Sequence, residues 1–194
     1  MHDDLEKGRR MLSSFNFKEY ETVTANSNAF KGVEIDLMIE ILKDWKQSPG
    51  DPYTLLELRD GKTLVAFALI HRVSGRNFTF DIRFIVLDQD YRSSSAIQHL
   101  FDMIDAELLK KIPFAVIRVE ISSVKRDSLG EQALENAGYS LIGHIPTYYG
   151  ENDDFYFYIK AIFRNPPNFI KISKPFEDQA ASAAPLEEIH TLEE

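Results

Sequence analysis

An α+β domain is the fold class the sequence predicts: a mixed, mostly antiparallel central sheet, one parallel strand-helix-strand crossover, and flanking helices. Three observations predict it. Asp60-Gly61 and Ser74-Gly75-Arg76-Asn77 are turn signals that divide three apolar-rich runs, the pattern of a β-meander. Thr79 to Lys111 then reads as a strand, a polar loop and a long amphipathic helix; a further strand follows at Phe114 to Ile121, which makes a parallel crossover. Gly138 then stops a helix, and two more strand-like runs close the domain.

Taken in order, Met1 to Ser14 is polar, and a short surface helix is expected there. Phe17 to Thr24 (FKEYETVT) alternates as a first strand would. Val33 to Trp45 places Met38, Ile41, Leu42 and Trp45 at helical spacing and ends before the turn-rich SPGDP. Tyr53 to Arg59 and Thr63 to Val73 are the first hairpin. In the next strand Phe80, Ile82 and Phe84 alternate with Asp81 and Arg83 before the continuous apolar run Ile85, Val86 and Leu87. Asp88 to Ser95 is polar and ends in three serines suited to capping a helix. The helix carries Ile97, Leu100, Phe101, Ile104 and Leu108 on one face, with Lys110 and Lys111 where its dipole favours cations. Ser128 to Ala137 is the last predicted helix, with Ser128 and Glu131 at capping-box spacing. Tyr139 to Ile145 and Phe155 to Ile162 are the closing strands, joined by a loop containing Tyr148-Tyr149-Gly150. The domain is expected to span 1–163 and to be followed by an acidic tail or linker at 164–194, where NPPN precedes a Ser/Ala/acid-rich run.

Composition narrows the function classes. An apolar fraction of 44% in 194 residues supports a folded core. The absence of cysteine excludes disulfides and a thiolate nucleophile, and the five histidines show no metal-ligand spacing, so no metal is expected. No apolar run reaches membrane-span length and Met1 to Arg10 is charged, so a cytoplasmic protein without a membrane partner is expected. From Pro175 onward there are six acidic residues and no Lys or Arg, so −6 of the net −9 lies there and −3 on the other 174 residues. Without a basic stripe, a nucleic-acid partner is not expected.

The strand-to-helix junction carries the chemistry. A helix start presents backbone N–H groups outward, a site for phosphate or pyrophosphate. The residues there are Tyr91, Arg92, Ser93, Ser94, Ser95, Ala96 and Ile97. Together with the element order and the helix-Gly-Tyr-strand-loop-strand ending NAGYSLIGHIPTYYGENDDFYFYIK, they resemble the GNAT superfamily of N-acetyltransferases over Phe17 to Ile162. The family signature is Arg or Gln, two residues, Gly, one residue, then Gly or Ala. Arg92 and the Tyr before it match, whereas Ser95 and Ile97 replace the glycines.

The resemblance implies acetyl-CoA or another acyl-CoA as cosubstrate, its pyrophosphate on the backbone of Arg92, Ser93, Ser94, Ser95, Ala96 and Ile97. It implies a pantetheine arm paired with the backbone of Ile85, Val86 and Leu87. The acceptor would be an amine of a small molecule, peptide or protein. Asp81 is the implied general base, with Glu120 on the neighbouring strand as the alternative; a solvated charge paired with Arg83 or a neighbour is the other reading of Asp81. The family's Tyr proton donor falls on Leu134, so Tyr148 and Tyr149 are the candidates for a proton donor or an acceptor contact. His71 and His144 are read as core or edge histidines, and Tyr139, Tyr156 and Tyr158 as packing residues. Two rivals stand beside catalysis: a silent GNAT-like domain that binds CoA or a protein partner, and an unrelated α+β binding module. A homodimer contact through the apolar last strand or the tail is a further expectation.

Overall fold

The computed structural model describes residues 15–47, 52–92, 95–130 and 132–165. Its sheet has six strands in the order β1-β2-β3-β4-β6-β5. They are β1 (Tyr53–Asp60), β2 (Thr63–Arg72), β3 (Thr79–Leu87), β4 (Phe114–Ser122), β5 (Ser140–Gly150) and β6 (Asp153–Phe163). All neighbours are antiparallel except β3 and β4. The expected crossover is therefore present, carried by α3 (Ala96–Lys111).

Helices cover the two faces unequally. α1 (Phe17–Asn26) and α2 (Gly32–Gln47) pack Tyr20, Val23, Met38, Ile39 and Leu42 on Leu64, Phe67, Leu69 and Val86. On the other face, the Ile97, Leu100, Phe101, Ile104 and Leu108 stripe of α3 packs on Ala66, Ala68, Ile82, Ile117 and Val119. Both clusters come from period-two alternation in the strands meeting a helical stripe.

Three elements differ from the sequence expectation. Phe17 to Thr24 is helix α1, not a strand. Eight residues of mixed pattern fit both periods, and Tyr20, Val23 and Thr24 share one buried helical face. The Asn16 side chain also accepts from Lys18 N–H at 3.1 Å, which caps the helix start. The predicted helix from Ser128 to Ala137 is instead two short ones, α4 (Ser123–Leu129) and α5 (Ala133–Asn136). They break at Gly130, whose φ of 101° lies outside the helical region. Ser128 consequently sits inside α4 and donates to Lys125 O at 2.7 Å, while Ser122 is the cap, accepting from Lys125 N–H at 3.3 Å. β5 also runs further than expected, through Tyr148 and Tyr149 to Gly150. The expected tail from 166 onward and the polar start at 1–14 lie outside the described residues.

Candidate active site

The site begins where the parallel pair comes apart. β3 and β4 are in register from Thr79↔Val116 to Ile82↔Val119, and their pairing stops there. Beyond that point β3 stays bonded to β2 as far as Leu87, and β4 to β6 as far as Ser122. The two halves of the sheet diverge, and the backbone edges of Arg83–Leu87 and Glu120–Ser122 face a wedge. A bulge at the Leu69/Ile70 register shift lets Ile82 and Phe84 bracket Arg83 at the fork.

α3 opens at the top of this wedge. His99 N–H donates to Ser95 O at 2.9 Å, which closes the first turn of α3. Ser95 makes no side-chain cap bond. Ile97 is 7% exposed and lies in the core, so its bulk does not narrow the approach to the helix start. Arg92 Nε donates to Ser128 O at 3.1 Å, tying the loop before α3 to α4. Ser93 and Ser94 lie outside the described residues. Below the loop, Asp88 accepts from Asn26 Nδ2 at 2.9 Å and Asp90 N–H at 3.0 Å, which locks it to the end of α1.

A second opening lies on the α1-α2 side of the wedge. Phe30, Glu34, Ser122, Lys125, Tyr149 and Asp153 are among the residues around a cavity of about 590 Å³, counted to its open mouth. Glu34 is bonded to Lys125 Nζ, and its other oxygen accepts from Lys31 N–H at 2.8 Å. Burial raises the Glu34 carboxyl, but these two donors more than offset it and hold it below the ordinary carboxylate range. Lys125 Nζ also lies 4.9 Å from the Phe30 ring centroid. The Tyr149 phenol is raised by burial first, and then by the charges of Glu120, Tyr148, Asp153 and Glu34. A raised phenol keeps its proton through neutral pH and is able to give it up to a strong base.

No protein-family profile and no curated protein matches the sequence. Solved structures do match. A GNAT-family protein from Desulfovibrio desulfuricans superposes with a TM-score of 0.65 at 16% identity, over 75% of this chain and 91% of its own.

The chain has the GNAT fold.

Two further structures of that fold are similar to it. The ribosomal-protein-S18-alanine N-acetyltransferase from Escherichia coli has a TM-score of 0.58 at 17% identity, over 79% of this chain and 92% of its own. An aminoglycoside 6'-N-acetyltransferase complexed with coenzyme A has a TM-score of 0.59 at 12% identity, over 77% of this chain and 92% of its own.

Within this GNAT fold the structure separates residues that the sequence left together. Asp81 stands on the closed part of the fork, where Arg118 Nε and Nη2 grip its carboxylate at 2.7 and 3.0 Å. The partner is Arg118, not Arg83, and both oxygens are engaged. Glu120 lies past the fork, exposed on the same strand face as Arg118, and its charge is felt at Tyr149. Ile85, Val86 and Leu87 are on the parted edge of β3, with buried side chains. Tyr149 lines the cavity; Tyr148 packs edge-on against it at 4.9 Å and is 60% exposed. Leu134 is 1% exposed in the core. Tyr139 and Tyr158 are buried, as packing residues are, and Tyr158 donates to Glu135 at 2.8 Å.

Sequence reasoning missed Phe30, Glu34 and Lys125. Glu34 and Lys125 meet across 91 positions, and neither carries a local signal. Among the described residues no group of three metal-binding side chains occurs, and no helix is long and apolar enough to cross a membrane.

Proposed function

We propose that the chain is an acyl-CoA-dependent N-acyltransferase, with acetyl-CoA the first cosubstrate to test and an amine as acceptor. One observation carries the reading: in a GNAT fold, β3 and β4 part immediately beside an outward-facing helix start. The parted edge of Ile85, Val86 and Leu87 offers unpaired backbone donors and acceptors to an amide-bearing arm. The start of α3, its dipole and Arg92 all favour a pyrophosphate at the top of the wedge. Ser93 and Ser94 complete that expectation from the sequence.

Glu120 is the general base in this reading. It takes a proton from the acceptor ammonium, directly or through water, and the free amine attacks the thioester carbonyl. A backbone N–H on the parted edge of β3 polarises that carbonyl as charge develops on its oxygen. The C–N bond forms and the C–S bond breaks; the nitrogen sheds its second proton to water, Tyr149 gives its phenolic proton to the departing thiolate, and solvent returns a proton to Tyr149. Asp81 acts with Arg118 as a strut at the fork. The acceptor approaches through the cavity of Phe30, Glu34, Lys125 and Asp153, past the Glu34–Lys125 pair.

The buried Leu134 favours a second reading, a domain that binds CoA without transferring an acyl group. Calorimetric titration with acetyl-CoA, followed by measurement of CoA release against a panel of amines and peptides, tests both. Binding with release supports the transferase, binding without release supports the silent domain, and no binding at high micromolar concentration overturns both.

A further inference from the structure

The β5-β6 hairpin contains an irregularity that regular pairing does not explain. Ile145 pairs with Phe155 and Gly150 pairs with Asp153, so Asp154 alone faces Pro146, Thr147, Tyr148 and Tyr149. The chain makes this excursion through Thr147, whose φ is 53°. A β-branched residue in the left-handed region is strained and persists only where its surroundings hold it.

The Asp154 side chain supplies that hold. One carboxylate oxygen accepts from Thr147 N–H at 2.8 Å, and the other lies 2.8 Å from His144 Nε2 and 3.4 Å from the Tyr156 hydroxyl. His144 is itself fixed, stacked on the Tyr156 ring at 4.6 Å and 14°, with the Arg126 guanidinium 4.2 Å from that ring's centroid. The Asp154 N–H donates to Ser123 Oγ at 2.9 Å, which ties the hairpin to the start of α4. The carboxylate therefore gives Thr147, one of four β5 residues without a strand partner, an acceptor for its N–H, and the excursion it holds carries Tyr149 to the wall of the cavity. The Thr147 N–H donor and the His144 contact also hold the Asp154 carboxyl below the ordinary carboxylate range.

We propose that Asp154 is a positioning residue for Tyr149: its bond to Thr147 N–H fixes the β5 excursion that presents the phenol to the acyl-transfer site. This rests on the transferase reading, in which Tyr149 is the proton donor. It also makes His144 part of a functional scaffold rather than an edge residue of no consequence.

The test combines steady-state kinetics with native-state hydrogen exchange on the full chain. Asp154→Ala and Asp154→Asn are each made in the parent and in Tyr149→Phe. In the parent, Asp154→Ala is expected to lower kcat by about tenfold or more, with KM for acetyl-CoA unchanged. The Thr147 amide should then exchange at least ~10-fold faster, while the β6 amides stay protected. Asp154→Asn keeps an acceptor oxygen and should restore most of both. In Tyr149→Phe, the alanine substitution should cause no further loss of kcat. Unchanged Thr147 exchange overturns the proposal, as does an equal loss of kcat in both backgrounds or a Tyr149→Phe protein with parental kcat. If the Ala variant fails to fold, Asp154→Val, which favours a strand and has no acceptor, takes its place with the same expected losses and the same overturning outcomes. Failure of the unaltered protein to bind acetyl-CoA sinks the transferase reading separately, because Thr147 exchange reports the Asp154 hold without any substrate.

Discussion

Glu120→Gln is expected to lower kcat by roughly 10²–10³-fold, the usual range for loss of a general base, with acetyl-CoA affinity retained in calorimetry. The amide has the same shape and cannot take the acceptor proton. Asp81→Asn is the contrasting change. Its bidentate pair with Arg118 is only about a quarter exposed, and losing it should reduce stability by about 1 kcal/mol in urea denaturation, with CoA release close to the parental rate. The reverse outcome, a large kcat loss at Asp81 and none at Glu120, would return the base to the closed part of the fork. Tyr149 adds a pH signature. Its phenol is raised above the ordinary value, so it stays protonated, and able to act as an acid, further into the alkaline range than a free tyrosine. The alkaline limb of kcat is expected to lie above the ordinary phenol value and to vanish in Tyr149→Phe; a limb at or below that value would exclude Tyr149 as the donor.

At the scale of elements, the break between α4 and α5 ends the segment that carries Lys125 and Ser128 to the site. Gly130 holds a φ of 101° with nothing near the position a Cβ would take, so the penalty for a side chain there is one of backbone alone. Gly130→Ala is expected to destabilise by about 1–2 kcal/mol in chemical denaturation. An unchanged midpoint would mean that the turn relaxes without strain. This element was only half legible. Ser128 and Glu131 have the spacing of a capping box, but Ser122 caps the helix, because the chain leaves β4 directly into α4. The first helix shows the same limit. FKEYETVT satisfies both periods over its short length, and its Tyr20 and Val23 are buried as one helical face against Leu64, Phe67 and Val86 of the sheet.

For the whole molecule, the wedge joins two half-sheets that share only the register from Thr79 to Ile82. A ligand bridging both edges binds the folded state alone, so acetyl-CoA at about 100 times its Kd should add roughly 2.7 kcal/mol. In a chain of this size that corresponds to a rise in Tm of roughly 5–10 °C, measurable by differential scanning calorimetry. No shift at saturating ligand would argue against a bridging site.

The sequence by itself determined the meander, the crossover, the α3 stripe and the start of α3. Each of these is written in local periodicity and turn chemistry within a few neighbouring residues. Ile97, for example, could be assigned to the core from its spacing to Leu100 and Phe101. Only the tertiary structure decided which carboxylate lies beyond the point where β3 and β4 part. Asp81 and Glu120 look alike as strand-face acids, and their difference lies in Arg118, reached across 37 positions, and in the point where β3 and β4 stop pairing. The same holds for Asp154 and Thr147, which are sequence neighbours whose bond has meaning only because four residues of β5 lose their partners. Strand register and cross-sheet ion pairs are set by packing the whole chain at once, and no local pattern encodes them.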